Sequence, residues 1–187
     1  MANELNGKRV AVLVADGFEQ VEMTEPRKAL DAAGAATTLI SLAGGTVRGF
    51  NHDDPGDRFK VEKTIDSVSA KDYDALLLPG GVANPDKLRV NAQAVAFVRA
   101  FADAGKPIAA ICHGPWTLIE AGVVRGKTLT SWPSLRTDIT NAGGHWVDEE
   151  VRVCTNGPNT LITSRKPDDL KAFCHELVTV FAATNSS

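Results

Sequence analysis

Short apolar runs, each ended by glycine, proline or a polar turn, recur along this chain and constrain its fold more than any other feature. The clearest of these runs are residues 9–15, 37–42, 73–78 and 108–111. A nearly continuous apolar run is typical of a strand that is buried on both faces of a parallel sheet. Helical patterns alternate with them, at 24–33, 85–104, 116–121 and 167–183. The alternation predicts an α/β sandwich with a mainly parallel central sheet.

The remaining segments predict shorter elements. Residues 46–50 and 60–62 are expected to pair as a hairpin around a polar loop, 51–57. Further short elements are expected as strands near 128–130, 146–154 and 160–164 and as a helix near 134–142.

Composition and charge narrow the class of protein. The 187 residues are 43% hydrophobic and 23% charged, which favours one globular domain over 1–187. The net charge of −3 comes without a basic stripe, so no specific nucleic-acid binding is expected. No apolar segment approaches the roughly 18 residues that span a bilayer. The polar N-terminus lacks a secretory signal, so we expect a cytoplasmic protein.

The most reactive candidate is Cys112, in the segment Ile-Ala-Ala-Ile-Cys-His-Gly-Pro at 108–115. A strand that runs directly into a tight turn and a helix presents the turn residue at the end of the sheet, as in a nucleophile elbow. The positive end of the following helix is expected to lower the pKa of the thiol. Cys154 and Cys174 are interpreted as structural, and three cysteines give no disulfide framework.

Two other strands are followed by residues that could take part in a site. Glu19 and Glu22 follow the first strand, three residues apart, which can place both carboxylates on one side of a helical turn. They are either favourable charges at a helix start, or one of them is an acid beside Cys112 that donates a hydrogen bond to the thiolate and can act as general acid or base. Gly80 and Gly81 follow the 73–78 strand and are either a simple turn or part of an oxyanion hole.

The sequence leaves two arrangements open for His113. A general base is seldom adjacent in sequence to its nucleophile, so His113 either reaches the sulfur through a sharp bend or points across a groove. Asp86 is a candidate to orient it, from the same chain or from a second subunit. His52 with Asp53 and Asp54 is weak support for a metal site, so no metal is expected; without a Walker loop or dinucleotide motif, no cofactor is expected either.

Four motifs together resemble the PfpI (intracellular protease I) family, within the superfamily of the parkinsonism-associated deglycase and the class I glutamine amidotransferase-like proteins. They lie at 16–22 (Asp-Gly-Phe-Glu-Gln-Val-Glu), 78–81 (Leu-Pro-Gly-Gly), 110–115 and 130–133 (Thr-Ser-Trp-Pro). The resemblance implies a flavodoxin-like three-layer sandwich and a homo-oligomer with the site near a subunit edge. It makes Cys112 the nucleophile, Glu22 its acid partner and Glu19 a nearby second acid.

The same resemblance makes His113 the family histidine of a Cys-His-acid triad, with Asp86 where the family has a glutamate. It implies two kinds of activity with a common role in stress protection, and the chemistry of Cys112 adds a third alternative. The first is glyoxalase or deglycase action on methylglyoxal or glycated protein, which a thiolate and a carboxylate could perform. The second is an intracellular cysteine peptidase, and the third is a redox-sensing or chaperone-like protein that works through oxidation of Cys112. An amidotransferase is disfavoured because no suitable downstream His-x-Glu pair is present.

Overall fold

The structure, a computed structural model, describes residues 4–184. Its strands are β1 (Arg9–Leu13), β2 (Phe18–Glu19), β3 (Ala36–Ser41), β4 (Thr46–Asn51), β5 (Asp54–Lys60), β6 (Lys63–Thr64), β7 (Ala75–Leu78), β8 (Ile108–Ile111), β9 (Thr128–Leu129), β10 (His145–Trp146), β11 (Val151–Cys154) and β12 (Leu161–Ser164). Its α-helices are α1 (Gln20–Ala32), α2 (Ala83–Arg89), α3 (Ala92–Asp103), α4 (Pro115–Glu120), α5 (Arg136–Asn141) and α6 (Leu170–Ala183).

A seven-stranded sheet forms the centre, in the order β11-β12-β8-β7-β1-β3-β6. Every pair in it is parallel except β11 with β12. The α/β, flavodoxin-like sandwich predicted from the sequence is therefore confirmed. Because β1, β7 and β8 are parallel neighbours, their carboxyl ends meet at one edge, where this class of fold binds ligands.

Helices cover both faces of the sheet. Along β1, Val10 and Val12 pack toward α1 and α6, whereas Ala11 and Leu13 pack toward the other helices. This alternation follows from the two-residue repeat of a strand. Both faces are buried, which explains why the strands appear in the sequence as unbroken apolar runs. No helix within residues 4–184 is long and apolar enough to cross a membrane.

One long helix was predicted over 85–104, but the structure has α2 and α3 with a break between them. Asn91 stands at the break, and its side chain accepts a hydrogen bond of 3.0 Å from the amide of Ala94. Asparagine is a strong N-cap because its short side chain replaces the missing helical acceptor. The cap signal was present in the sequence, but the continuous apolar stripe masked it.

The prediction of a polar loop over 51–57 is wrong. Thr46 pairs with Lys60 as expected, but β5 begins at Asp54 and the turn consists of His52 and Asp53 alone. Most of β5 is exposed, so its sequence lacks the apolar alternation that marks a half-buried strand. β4 also pairs with β2, which places Glu19 beside Phe50.

Several predicted boundaries differ. The first helix begins at Gln20 rather than near Thr24, so Pro26 lies inside it and Glu22 lies in its first turn. The strands expected near 146–154 are β10 and β11, which lie in separate sheets. The last helix begins at Leu170, after one turn of 3-10 helix at Pro167–Asp169.

Candidate active site

Cys112 is held in a strained turn directly after β8. Its φ is 62°, and among residues 4–184 only His52 is another non-glycine residue with positive φ. The left-handed region costs an L-residue about 1–2 kcal/mol, so surrounding bonds must enforce it. The Cys112 amide donates to the carbonyl of Ser164 at 3.0 Å, and its carbonyl accepts from the amide of Trp132 at 2.9 Å. The buried sulfur is thus fixed at the end of the sheet.

The Glu22 carboxyl is buried beside this sulfur. Its Oε2 accepts a hydrogen bond of 3.0 Å from the amide of Gly80. Its Oε1 is buried and accepts no hydrogen bond within the described part of the chain. The carboxyl group interacts with the Cys112 side chain. A buried oxygen without a donor favours the protonated form of Glu22, because a carboxylate there would leave a negative charge unpaired.

Burial determines the protonation of this pair. Burial and, to a smaller extent, the charge of Glu19 raise the pKa of Glu22 to about 8, so Glu22 is mainly protonated at neutral pH. Burial also raises the pKa of Cys112, while hydrogen bonds from the amides of Gly81 and His113 lower it. The prediction that the helix lowers this pKa is therefore wrong, because α4 has only six residues and desolvation is the larger effect.

The two glycines after β7 allow the strands to approach this closely. A Cβ on Gly80 would lie 2.4 Å from Glu22 Oε2 and 2.6 Å from the Cβ of Cys112. Gly81 has a φ of +76°, where side chains are disfavoured. The Gly80 amide binds Glu22 and the Gly81 amide faces the sulfur. Their role as an oxyanion hole remains a prediction.

A residue that the sequence did not reveal, Asn84, holds this turn in place. Its Oδ1 accepts from the amide of Ala15 at 2.7 Å, and its Nδ2 donates to the carbonyls of Pro79 and Gly80, both at 3.0 Å. The fully buried side chain thereby joins the ends of β1 and β7. A lone asparagine carries no such signal in a sequence, because its partners are backbone groups far along the chain.

His113 reaches the sulfur, which is the first of the two arrangements left open by the sequence. Its Nδ1 lies 3.1 Å from Cys112 Sγ. The ring is stacked on Trp132, with centroids 5.8 Å apart, and meets Trp116 edge-on. Burial lowers the pKa of His113 to about 4, so the imidazole is neutral at pH 7. The positive φ of Cys112 accompanies this contact between adjacent side chains.

The other two predicted acids lie differently. The Glu19 carboxylate accepts from the amide of His52 at 3.1 Å, at the turn of the β4–β5 hairpin. Asp86 is exposed on α2 and forms an ion pair of 2.8 Å with Arg89. Within one chain, the structure brings Glu19, Glu22 and His113 to the pocket of Cys112 but leaves Asp86 outside it. No group of three or more metal-ligating side chains is assembled in residues 4–184.

These residues line one cavity of about 710 Å³. Cys112, His113 and Glu22 form its buried side, and Phe50 and Trp132 contribute apolar walls. The remaining polar lining comes mostly from the hairpin and from α2, as Arg48, His52, Asp53, Arg58 and Lys87. Sequence reasoning did not place Arg48 and Arg58 at this cavity, since most of β5 was predicted as a loop. The cavity thus combines a nucleophile, a proton donor and a charged rim.

Known proteins resemble this chain in sequence and in fold. Residues 8–180 match the sequence profile of the DJ-1/PfpI family. The Escherichia coli (strain K12) protein named Protein/nucleic acid deglycase 2 is 42% identical, over 94% of this chain and 99% of its own. General stress protein 18 of Bacillus subtilis (strain 168) is 44% identical, over 91% and 95%. A two-domain Anabaena variabilis protein with DJ-1/ThiJ/PfpI-like and ferritin-like domains superposes with a TM-score of 0.85 at 33% identity, and the match spans 92% of this chain and 48% of that one.

Proposed function

The chain belongs to the DJ-1/PfpI family, and on this premise we propose that it is a cysteine-dependent stress enzyme that acts in the cytoplasm on methylglyoxal or early glycation adducts. The observation that carries the proposal is the buried Glu22 carboxyl beside the Cys112 sulfur. A carboxyl group whose pKa lies near 8 can both give and take a proton at neutral pH, which suits it to acid–base catalysis. The deglycase name of the Escherichia coli relative agrees with this chemistry.

In the first step, Cys112 Sγ attacks the aldehyde carbon of methylglyoxal. A carbon–sulfur bond forms, the carbonyl electron pair moves to the oxygen, and the thiol proton reaches that oxygen to give a hemithioacetal. His113 Nδ1, 3.1 Å from the sulfur, is placed to accept this proton and pass it on. Its neutral imidazole is in the form that can accept a proton.

In the second step, Glu22 in its carboxylate form removes the proton from the sulfur-bearing carbon. It returns the proton to the neighbouring carbon, so that an enediol collapses to a lactoyl thioester without any external oxidant. Water then cleaves the carbon–sulfur bond, which releases lactate and restores the thiol. In an early adduct of methylglyoxal, the amine or thiol is bonded to the carbon that Cys112 attacks. The bond from this carbon to Cys112 Sγ forms as the bond to the amine or thiol breaks, and the proton of the Cys112 thiol goes to that leaving group, which gives the same hemithioacetal.

The test is production of lactate from methylglyoxal by the purified protein. We expect turnover by the wild type and by Cys174→Ala, which alters a half-buried cysteine on α6 outside the cavity. Cys112→Ala should have none, because the nucleophile is absent. A wild-type protein that is folded, has reduced Cys112 and forms no lactate would overturn the proposal.

The contact of His113 with the sulfur also favours a second candidate, a cysteine peptidase. The pair is close enough for a Cys-His couple, but a triad also needs an acid to orient the imidazole. Asp86 is exposed and outside the cavity of its own chain, so it could serve only across a homo-oligomer. Cleavage of a fluorogenic peptide by the wild type, lost in both His113→Gln and Asp86→Asn, would support this candidate. Cleavage that survives in Asp86→Asn would exclude the triad.

A further inference from the structure

Two arginines face each other across the β4–β5 hairpin. Arg48 and Arg58 are direct register partners in the antiparallel pair, and both line the cavity of Cys112. Like charges at directly opposite positions destabilise a hairpin. The Arg48–Arg58 pairing therefore does not stabilise the hairpin. Its position at the cavity suggests a role in binding.

A third cation, Lys87, faces the same cavity from α2. Its ammonium group donates to the carbonyl of Asp16 at 3.2 Å. Arg48 Nε donates to the carbonyl of Gly56 at 3.3 Å, and Arg58 Nη1 donates to Thr46 Oγ1 at 3.4 Å. These bonds occupy few of the available N–H donors, since each guanidinium has five.

The cavity is also lined by the carboxyl groups of Asp16, Glu19, Glu22 and Asp53. Asp16 accepts from the backbone amide of Arg48 at 2.7 Å, and Glu19 accepts from the amide of His52. Throughout residues 4–184, Arg48, Arg58 and Lys87 form no ion pair with any carboxylate. Three cationic groups with unused donors thus converge on one cavity beside a nucleophile.

We propose that Arg48, Arg58 and Lys87 bind an anionic group, a phosphate or a carboxylate, on the α-oxoaldehyde or adduct that Cys112 attacks. The inference rests on the proposed function and names its substrate class. Guanidinium groups bind both anions through paired, charge-assisted hydrogen bonds. The cavity of about 710 Å³ also exceeds what a five-heavy-atom molecule such as methylglyoxal requires, which leaves room for a charged extension.

The kinetic test compares three α-oxoaldehydes: neutral methylglyoxal, dioxovalerate with its carboxylate, and hydroxypyruvaldehyde phosphate. In Arg58→Gln and Arg48→Gln, we expect kcat/KM for an anionic substrate, divided by that for methylglyoxal, to fall about ten-fold. Lys60→Gln removes a cation from the same strand outside the cavity and should leave the ratio unchanged. A fall for only one of the anions identifies which group the site accepts. Equal ratios in wild type and both arginine variants would overturn the inference.

A second measurement needs no turnover. Iodoacetate and iodoacetamide are similar in size but differ in charge, and both alkylate a thiol, here followed at the Cys112 peptide by mass spectrometry. We expect the iodoacetate-to-iodoacetamide rate ratio to fall at least about three-fold in Arg58→Gln but not in Lys60→Gln. If the wild type turns over none of the aldehydes while this ratio still falls, the proposed function fails and the anion site stands. An unchanged ratio would contradict the anion site itself.

Discussion

Glu22 Oε2 accepts a hydrogen bond of 3.0 Å from the Gly80 amide, while Oε1 is buried and has no hydrogen-bond partner in the described part of the chain. This division of the two oxygens fixes where an acid proton can be held. The amide donor occupies Oε2, so the acid proton is directed to Oε1. The carboxyl group therefore holds its proton in the buried interior, next to the side chain of Cys112.

The first prediction concerns Glu22→Gln. The amide keeps the size of the side chain but cannot remove a proton from a substrate carbon. We expect kcat/KM for methylglyoxal to fall by about 10² or more, as is typical for loss of a general acid or base. Glu25→Gln, on the exposed side of the same helix, should retain wild-type activity. Lactate formation by Glu22→Gln at more than half the wild-type rate would contradict the role given to Glu22.

The second prediction concerns stability and pH. The pKa of Glu22 is about 8 in the folded protein and near 4.5 in the unfolded chain, so the folded state retains a proton that the unfolded state has lost. The free energy of unfolding should therefore fall as pH rises from 6.5 toward 8, by up to about 1.4 kcal/mol per pH unit. Urea unfolding at intervals from pH 6.5 to 8 measures this slope, below the range in which the cysteines of the unfolded chain lose their protons.

The measurement starts at pH 6.5 so that the titration of His113 does not contribute to the slope. Its pKa of about 4 in the folded state gives an opposite slope between pH 4 and 6.5, where the unfolded chain binds the extra proton. Glu22→Gln is the matched control. It should remove the decline above pH 6.5 and should reveal a rise below pH 6.5, because in the wild type the opposite slope of Glu22 cancels that of His113 there. A decline of equal slope in wild type and Glu22→Gln would show that another group causes it.

The sequence predicted the layers of the fold and one side of the site. The buried strands, the Cys112 turn and the Glu19–Glu22 pair each leave a local pattern, because apolar runs and turn residues are set by neighbours in the chain. Arg58 was missed because β5 is exposed and carries no strand pattern. Asn84 was missed because its partners are backbone groups up to 69 residues away. The predicted lowering of the Cys112 pKa was wrong, because burial by distant segments has a larger effect than a short adjacent helix.

The third prediction concerns Gly80→Ala. The added methyl would lie 2.4 Å from Glu22 Oε2 and 2.6 Å from the Cβ of Cys112, so one of the two must move. We expect a loss of about 1–3 kcal/mol in the free energy of unfolding and a large loss of lactate formation. Gly44→Ala, whose new methyl meets its nearest neighbour at an ordinary 3.9 Å, should be close to wild type in both. Full activity in Gly80→Ala would argue that the Glu22–sulfur distance is unimportant.

The fourth prediction concerns Asn84→Ala, which leaves the amide of Ala15 and the carbonyls of Pro79 and Gly80 without their side-chain partner. Each unsatisfied buried group costs about 1–3 kcal/mol, so we expect a loss of at least 2 kcal/mol in the free energy of unfolding. Because Asn84 positions the Gly80 turn, kcat for methylglyoxal should fall even at temperatures where the variant is folded. Asn91→Ala removes a helix cap and should cost about 1 kcal/mol without changing kcat. If the two variants lost stability but both kept wild-type kcat, Asn84 would be structural alone.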